Sequence, residues 1–327
     1  MSSNGVKLLK TIVPFVNKKG TPLHCEAFYQ DTMPEGSSVG TVIALHGAPG
    51  SHKDFKYFYP HLHPSIRFVG LNFPGFGHTN CSDPQNFDNV ERQSFVKSMV
   101  IALKLAQDPE RCRDKSLLTD WKMKIYEDKK VIFMGHSRGC ENALFSAVDF
   151  GGYGFVMLNP IGLRPHRGIR PALALKMMTE LYDFPGGRFI MKPINKKIYD
   201  ILKIKVSDGD QAYKCVRTMR TVALADQGPY IEKANERNLK ILYLYAGKDF
   251  LIENEIQEEA AKRYKLNRIT STEKTPEEEE KLLKLVSQGF VKGENGYSIF
   301  FANDTHYLNK DRAKFTAQCV SAMFGIS

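Results

Sequence analysis

A serine between two glycines, an aspartate just after an apolar run and a histidine in a short loop are the side chains of this sequence whose types and order could support nucleophilic catalysis. They are Ser137 in Gly135-His136-Ser137-Arg138-Gly139, Asp249 in Ala246-Gly247-Lys248-Asp249-Phe250, and His306 in Asn303-Asp304-Thr305-His306. A serine hydroxyl is a poor nucleophile until a base takes its proton, and the base works best when an acid orients it. The serine sits in a G-x-S-x-G pattern that follows the apolar run Val131–Met134 and precedes a stretch of helical spacing, the setting this motif requires. A residue on so tight a turn has strained backbone angles, so its neighbours two positions away must lack side chains that would collide. The bare pentapeptide also describes an ordinary glycine-rich turn; the strand-to-helix context favours the nucleophile.

Chain order narrows the partners. In this motif class the acid and then the histidine follow the serine, and of nine histidines only His166 and His306 do so. His166 lies in Arg-Pro-His-Arg-Gly and reads as part of a solvated basic loop. His306 follows the run Tyr297–Phe301, where a strand ends and a base belongs. Asp249 follows the run Leu239–Ala246 at another strand end, where a helix-capping aspartate is the competing reading. Asp304 is a weaker rival, too near His306 in sequence to reach its ring easily. A tetrahedral intermediate also needs oxyanion donors. The backbone N–H of Arg138, at the start of the following helix, is one, and that of Ala48 in His46-Gly47-Ala48-Pro49-Gly50 is the other, since Pro49 has no N–H to give. His46 reads as a structural anchor. His61 and His63 lack a third ligand at usable spacing, so no metal site is expected.

The elements that must hold these residues are legible as short, continuous apolar runs at 41–46, 66–72, 131–134, 154–159, 239–246 and 297–301, which suit strands buried on both faces. Helical spacing at 90–105, 139–148 and 312–324 lies between some of them, giving a βα alternation with a mainly parallel sheet. Two apolar segments around Asn17–Gly20 read as an N-terminal hairpin. About eighty residues separate the runs at 154–159 and 239–246, and 172–184, 188–204 and 209–225 within them carry helical periodicity. The expected organisation is a core of 1–160 and 236–327 with a helical lid over 161–235.

Composition bounds the rest. The 327 residues, 42% hydrophobic, can bury a full core, and no stretch approaches the ~20 apolar residues that span a bilayer. The six cysteines have no close sequence spacing that signals zinc or a disulfide framework, which fits reduced thiols and a cytoplasmic setting. Of the net charge of +10, residues 164–220 carry +8, from thirteen Lys or Arg against five Asp or Glu. There is no basic stripe interleaved with stacking aromatics, so nucleic acid is not an expected partner. A solvated face is the plain reading of the lid charge, and contact with an anionic membrane or an anionic substrate is the alternative. The acidic run Glu273–Glu280 begins a further helix with Pro276 in its first turn, read as structural or as a partner surface.

Taken together, His46–Gly50, Asn72-Phe73-Pro74-Gly75-Phe76-Gly77-His78-Thr79, the serine turn, Ala246–Asp249 and His306 resemble the α/β-hydrolases in their order along nearly the whole chain. The lid placed between the sixth and seventh strands is similar to the branch of proline iminopeptidases, epoxide hydrolases and haloalkane dehalogenases. The last two use an aspartate nucleophile, which Ser137 argues against; an uncharacterised branch described mainly from nematodes is also similar. Asn72 stands where many members have Asp, and Arg138 replaces the commoner small or apolar residue; only its backbone N–H is needed for the oxyanion, and its guanidinium could bias the pocket toward anions. The resemblance implies a serine hydrolase without cofactor, with Ser137, Asp249 and His306 catalytic and Ala48 and Arg138 as oxyanion donors. Its substrate would be a small-molecule or lipid ester or thioester. An amide hydrolase, a lyase using the same triad, and a ligand-binding protein that keeps the fold without turnover are the alternatives. The oligomeric state is left open.

Overall fold

The computed structural model describes residues 6–17, 19–81, 88–107, 123–202 and 204–326. Strands β1 (Leu8–Val16) and β2 (Pro22–Asp31) form the expected hairpin, followed by β3 (Gly40–Leu45), β4 (Ile66–Leu71) and the two-residue β5 (Asn80–Cys81). Helix α1 (Asn89–Ala102) precedes β6 (Val131–His136), α2 (Gly139–Phe150) and β7 (Gly154–Leu158). Then come α3 (Ala172–Asp183), α4 (Gly187–Ile201), α5 (Gly209–Arg220) and α6 (Gln227–Glu236). The chain closes with β8 (Lys240–Ala246), α7 (Asn254–Ala261), β9 (Asn267–Ser271), α8 (Pro276–Val291), β10 (Gly296–Phe301), α9 (Leu308–Asp311) and α10 (Ala313–Met323).

One sheet runs β1-β2-β4-β3-β6-β7-β8-β10-β9, with β5 beside β2; it is parallel from β4 to β9 and antiparallel at the hairpin edge. Strands β3, β4, β6 and β7 are buried at every residue, as their unbroken apolar runs require. Alternate residues serve opposite faces. Ile43, Phe133, Phe155 and Tyr243 pack with Phe95 of α1, Leu144 of α2 and Ile231 of α6. Val42, Ile132, Val156 and Leu242 pack with Val286 of α8 and Val320 of α10. This two-sided core brings the C-terminal ends of β3, β6, β8 and β10 to one edge, where sites form in parallel sheets.

The insertion lies between β7 and β8, one strand later in the count because of the two-residue β5; three of its helices match the sequence pattern, whereas α6, α7 and the short edge strand β9 have no counterpart in it. Strand β9 is largely exposed and polar, so it lacks the apolar signal of the central strands. Helix α4 buries Gly187, Met191, Asn195 and Tyr199, and a stripe of isoleucines, Ile190, Ile194 and Ile201, faces outward. The acidic helix α8 is tied into the core. Thr275 caps it, Glu278 accepts from Ser271 and Thr272, and Leu282, Val286 and Phe290 are buried. Cys140, Cys215 and Cys319 are buried free thiols, Cys25 is opposite Cys81 in backbone register, and Cys112 lies outside the described residues. Among the described residues no helix is long and apolar enough to cross a membrane, and no cluster of side chains fits a metal ion.

Candidate active site

Ser137 occupies the step between β6 and α2 with φ +52°, a left-handed conformation that non-glycine residues rarely adopt. Its N–H donates to Leu158 O at 2.9 Å and its carbonyl accepts from Cys140 N at 3.0 Å, so neighbouring strand and helix both hold the turn. The bracketing glycines are steric necessities. A Cβ on Gly135 would lie 2.4 Å from Cys140 Cα, and one on Gly139 would lie 2.0 Å from Leu45 O. The serine hydroxyl therefore stands at a sheet edge against which helix and strand backbone press from both sides.

Strands β8 and β10 run in parallel register, Ala246 beside Phe301, so the loops that follow them start together. His306 Nδ1 lies 2.8 Å from Asp249 Oδ2, and both residues are buried. The other carboxylate oxygen accepts from Leu251 N at 2.9 Å and Ile252 N at 3.0 Å, so Asp249 caps a turn and faces the histidine at once. With Nδ1–H donated to the carboxylate, Nε2 is the basic nitrogen. His136, the residue before the serine, bonds through Nε2 to the backbone O of His306 at 2.9 Å, tying the two loops. Burial, reinforced by the neighbouring His306, pushes the His136 imidazole down to about 3. Asp304 does not face His306: it is buried against Arg312 Nε at 2.7 Å and pairs with Lys274.

A cavity of about 450 Å³ is lined by Gly47, Ala48, Ser137, His306, Tyr307, Lys310 and, from the insertion, Ile204 and Lys205. The structure thus gathers Ser137, His306 and the Ala48 loop around one space, with Asp249 behind the histidine. Arg138 departs from its sequence reading. Its side chain is fully buried away from the cavity, paired with Glu141, bonded to Asn89 Oδ1 at 2.6 Å and directed at the carbonyls of Thr218 and Thr221. Glu141 in turn accepts from Ala223 N at 2.6 Å. The guanidinium has a carboxylate partner only inside the protein, so it anchors the insertion to the helix that starts at the serine and cannot attract anions in the cavity.

His166 is the second correction. It is buried, with Nδ1 3.1 Å from Gly168 N and 3.2 Å from Leu251 O, and burial pushes it down to about 4. It supports the Asp249 turn from the insertion side. His46 anchors its loop as read: Nε2 accepts from Phe73 N at 3.0 Å, Nδ1 lies 2.7 Å from Gly47 O, and burial pushes the ring down to about 3. The amide of Asn72 holds His52, whose N and Nδ1 lie 2.8 and 3.0 Å from Oδ1. Sequence reasoning missed Lys205, Tyr307 and Lys310 at the cavity; only the basic surplus of the insertion pointed toward the first. It also missed Arg92, which lies 3.5 Å over the Phe73 ring and bonds Asn142 Oδ1 at 2.6 Å beneath the serine turn.

The family described as "Alpha/beta hydrolase of unknown function (DUF1057)" has a model that matches residues 5–112 and 110–325. An uncharacterized protein of Caenorhabditis elegans is 28% identical over 311 residues, covering 91% of this chain and 81% of its own. Among solved structures, the haloalkane dehalogenase DatA from Agrobacterium tumefaciens is similar with a TM-score of 0.59 at 15% identity, covering 99% of each chain. A thermophilic esterase from Thermogutta terrifontis is similar with a TM-score of 0.57 at 13% identity, covering 95% of this chain and 96% of its own. At such identities these two structures establish a shared fold.

Proposed function

The chain belongs to the α/β-hydrolase family of unknown function, and from that premise we propose that it hydrolyses a carboxylic ester through an acyl-enzyme on Ser137. The observation that carries the reading is the 2.8 Å Asp249–His306 contact, which backs the cavity that His306 lines together with Ser137 in its strained turn. His306 Nε2 takes the hydroxyl proton as Ser137 Oγ attacks the carbonyl carbon; Asp249 keeps the imidazole in the required tautomer and stabilises its charged form. The N–H groups of Ala48 and Arg138 bind the oxyanion. Collapse breaks the bond to the alcohol oxygen, which receives the proton from His306. Water, deprotonated by the same histidine, then releases the acid and frees the serine. The segment 161–235 acts as the lid that sets specificity, since it contributes Ile204 and Lys205 to the cavity. Lys205 and Lys310 stand there without an acidic lining residue, which favours esters bearing a negative charge. The buried free thiols fit action in the cytoplasm.

Covalent labelling by a fluorophosphonate tests the proposal. Wild type takes the probe at Ser137, Ser137→Ala takes none, and a panel of ester, thioester and amide substrates ranks the ester first. Labelling at another residue, or none, overturns the catalytic reading in favour of a ligand-binding protein of the same fold; faster amide cleavage overturns the ester assignment.

A further inference from the structure

The outer face of the insertion is apolar and uncovered. Leu173, Met177 and Leu181 recur a turn apart along α3, and Ile190, Ile194 and Ile201 recur one and then two turns apart along α4, all exposed. Phe184 projects from the turn between these helices and Phe189 from the first turn of α4, with 89% of its surface in solvent. Residues 173–202 contain nine of the eighteen exposed large apolar side chains among the described residues, so this is a continuous ridge and not scattered exposure. The fold does not need it. The helices already pack through their inner faces, where Tyr182, Met191 and Tyr213 form a small core and the two tyrosine rings stack at 3.8 Å.

Cations flank the ridge: Lys176, Arg188, Lys192, Lys196 and Lys197. Lys176 pairs with Glu180 and Lys196 with Asp200, Arg188 and Lys192 share the single carboxylate of Asp210, and Lys197 has no ion pair among the described residues. The surrounding segment 164–220 carries +8. That charge selects among occupants. A second copy of the chain would set one basic segment against another, whereas an anionic surface complements it. Side chains as exposed as Phe189 also mark a projecting edge, which suits insertion between lipid headgroups better than capture of a peptide in a groove.

We infer that the α3–α4 face docks on a bilayer bearing anionic lipid, with the phenylalanine and isoleucine side chains entering the acyl boundary and the lysines lying at headgroup level. The chain that leaves α4 supplies Ile204 and Lys205 to the cavity wall, so docking sets the cavity beside the lipid surface. The inference stands on the ridge and its charge and does not depend on the identity of the nucleophile.

Sedimentation of the full chain with vesicles tests it. At low salt the protein pellets with phosphatidylcholine vesicles containing roughly one third phosphatidylserine and stays in solution with pure phosphatidylcholine; ~0.5 M salt, where screening is short-ranged, releases it. Phe184→Ser/Phe189→Ser and Lys196→Glu/Lys197→Glu each lower the bound fraction at least tenfold, with thermal midpoints close to wild type because these positions are on the surface. Absence of wild-type binding, equal binding to neutral vesicles, or unchanged binding by the folded Phe184→Ser/Phe189→Ser variant overturns the inference. So does a concentration-dependent dimer in sedimentation velocity that this variant abolishes, which would make a second copy the occupant.

Discussion

Acidification should unfold this protein through three histidines that have no room for a charge. His46, His136 and His166 are all buried, and burial pushes them down to about 3, about 3 and about 4. In the unfolded chain each takes a proton near pH 6.5, so below that value the unfolded state binds more protons and the free energy of unfolding falls. The stability they contribute is fully present above about pH 6.5 and is lost as pH drops toward their folded values. At pH 5 each loses about 2 kcal/mol, a figure set by the unfolded value alone because pH 5 is still above all three folded ones. Together that is about 6 kcal/mol, comparable to the whole stability of many domains. Asp54 acts in the opposite sense. Burial pushes its carboxyl up to about 7 against a hydrogen bond from Ser51, so the folded state takes its proton first and offsets part of the loss. The net fall between pH 7.5 and 5 should therefore exceed about 3 kcal/mol. Urea denaturation across that range measures it. His166→Asn, which keeps an acceptor for the Gly168 N–H, should remove about 2 kcal/mol of the pH dependence. A flat profile, or a His166→Asn profile parallel to wild type, would refute the claim that these rings are held neutral.

Asp249→Asn should lower kcat by roughly 10³- to 10⁴-fold, because the amide favours the wrong imidazole tautomer. Asp304→Asn should leave turnover near wild type and lower the thermal midpoint instead, since it weakens the pairing of buried Arg312; the reverse pattern in an ester assay would exchange their roles. Gly139→Ala forces a methyl to 2.0 Å from Leu45 O and should cost about 3 kcal/mol or more, together with probe labelling. Retention of both would mean that the turn is free to move. Lys205→Gln and Lys310→Gln should each raise KM for a monoanionic ester by about fivefold while moving KM for its neutral analogue less than twofold, in line with an interaction of about 1 kcal/mol near the surface. Equal shifts for both substrates would show that the lysines act by packing.

Where an element or residue declares itself locally, this sequence was sufficient. The central strands are apolar at every position because both faces are covered, and the turn at Ser137 needs glycine on each side because backbone fills the space where Cβ atoms would go. Chain order together with strand-end position singled out Asp249 and His306 as the partners to consider for Ser137. Other features depend on which surfaces meet, and no local pattern encodes that. Asp249 and Asp304 both follow strands; parallel register set the first against His306, while Arg312 drew the second away. The guanidinium of Arg138 found Glu141 and the insertion's carbonyls instead of the cavity. His166 lost its solvent when its turn packed on Leu251. Helix α4 has apolar residues on two faces, Met191 with Tyr199 and the isoleucine stripe, and periodicity alone cannot choose between them. Packing against α3 and α5 buried the first and left the second to solvent, because a helix can turn only one face toward its neighbours.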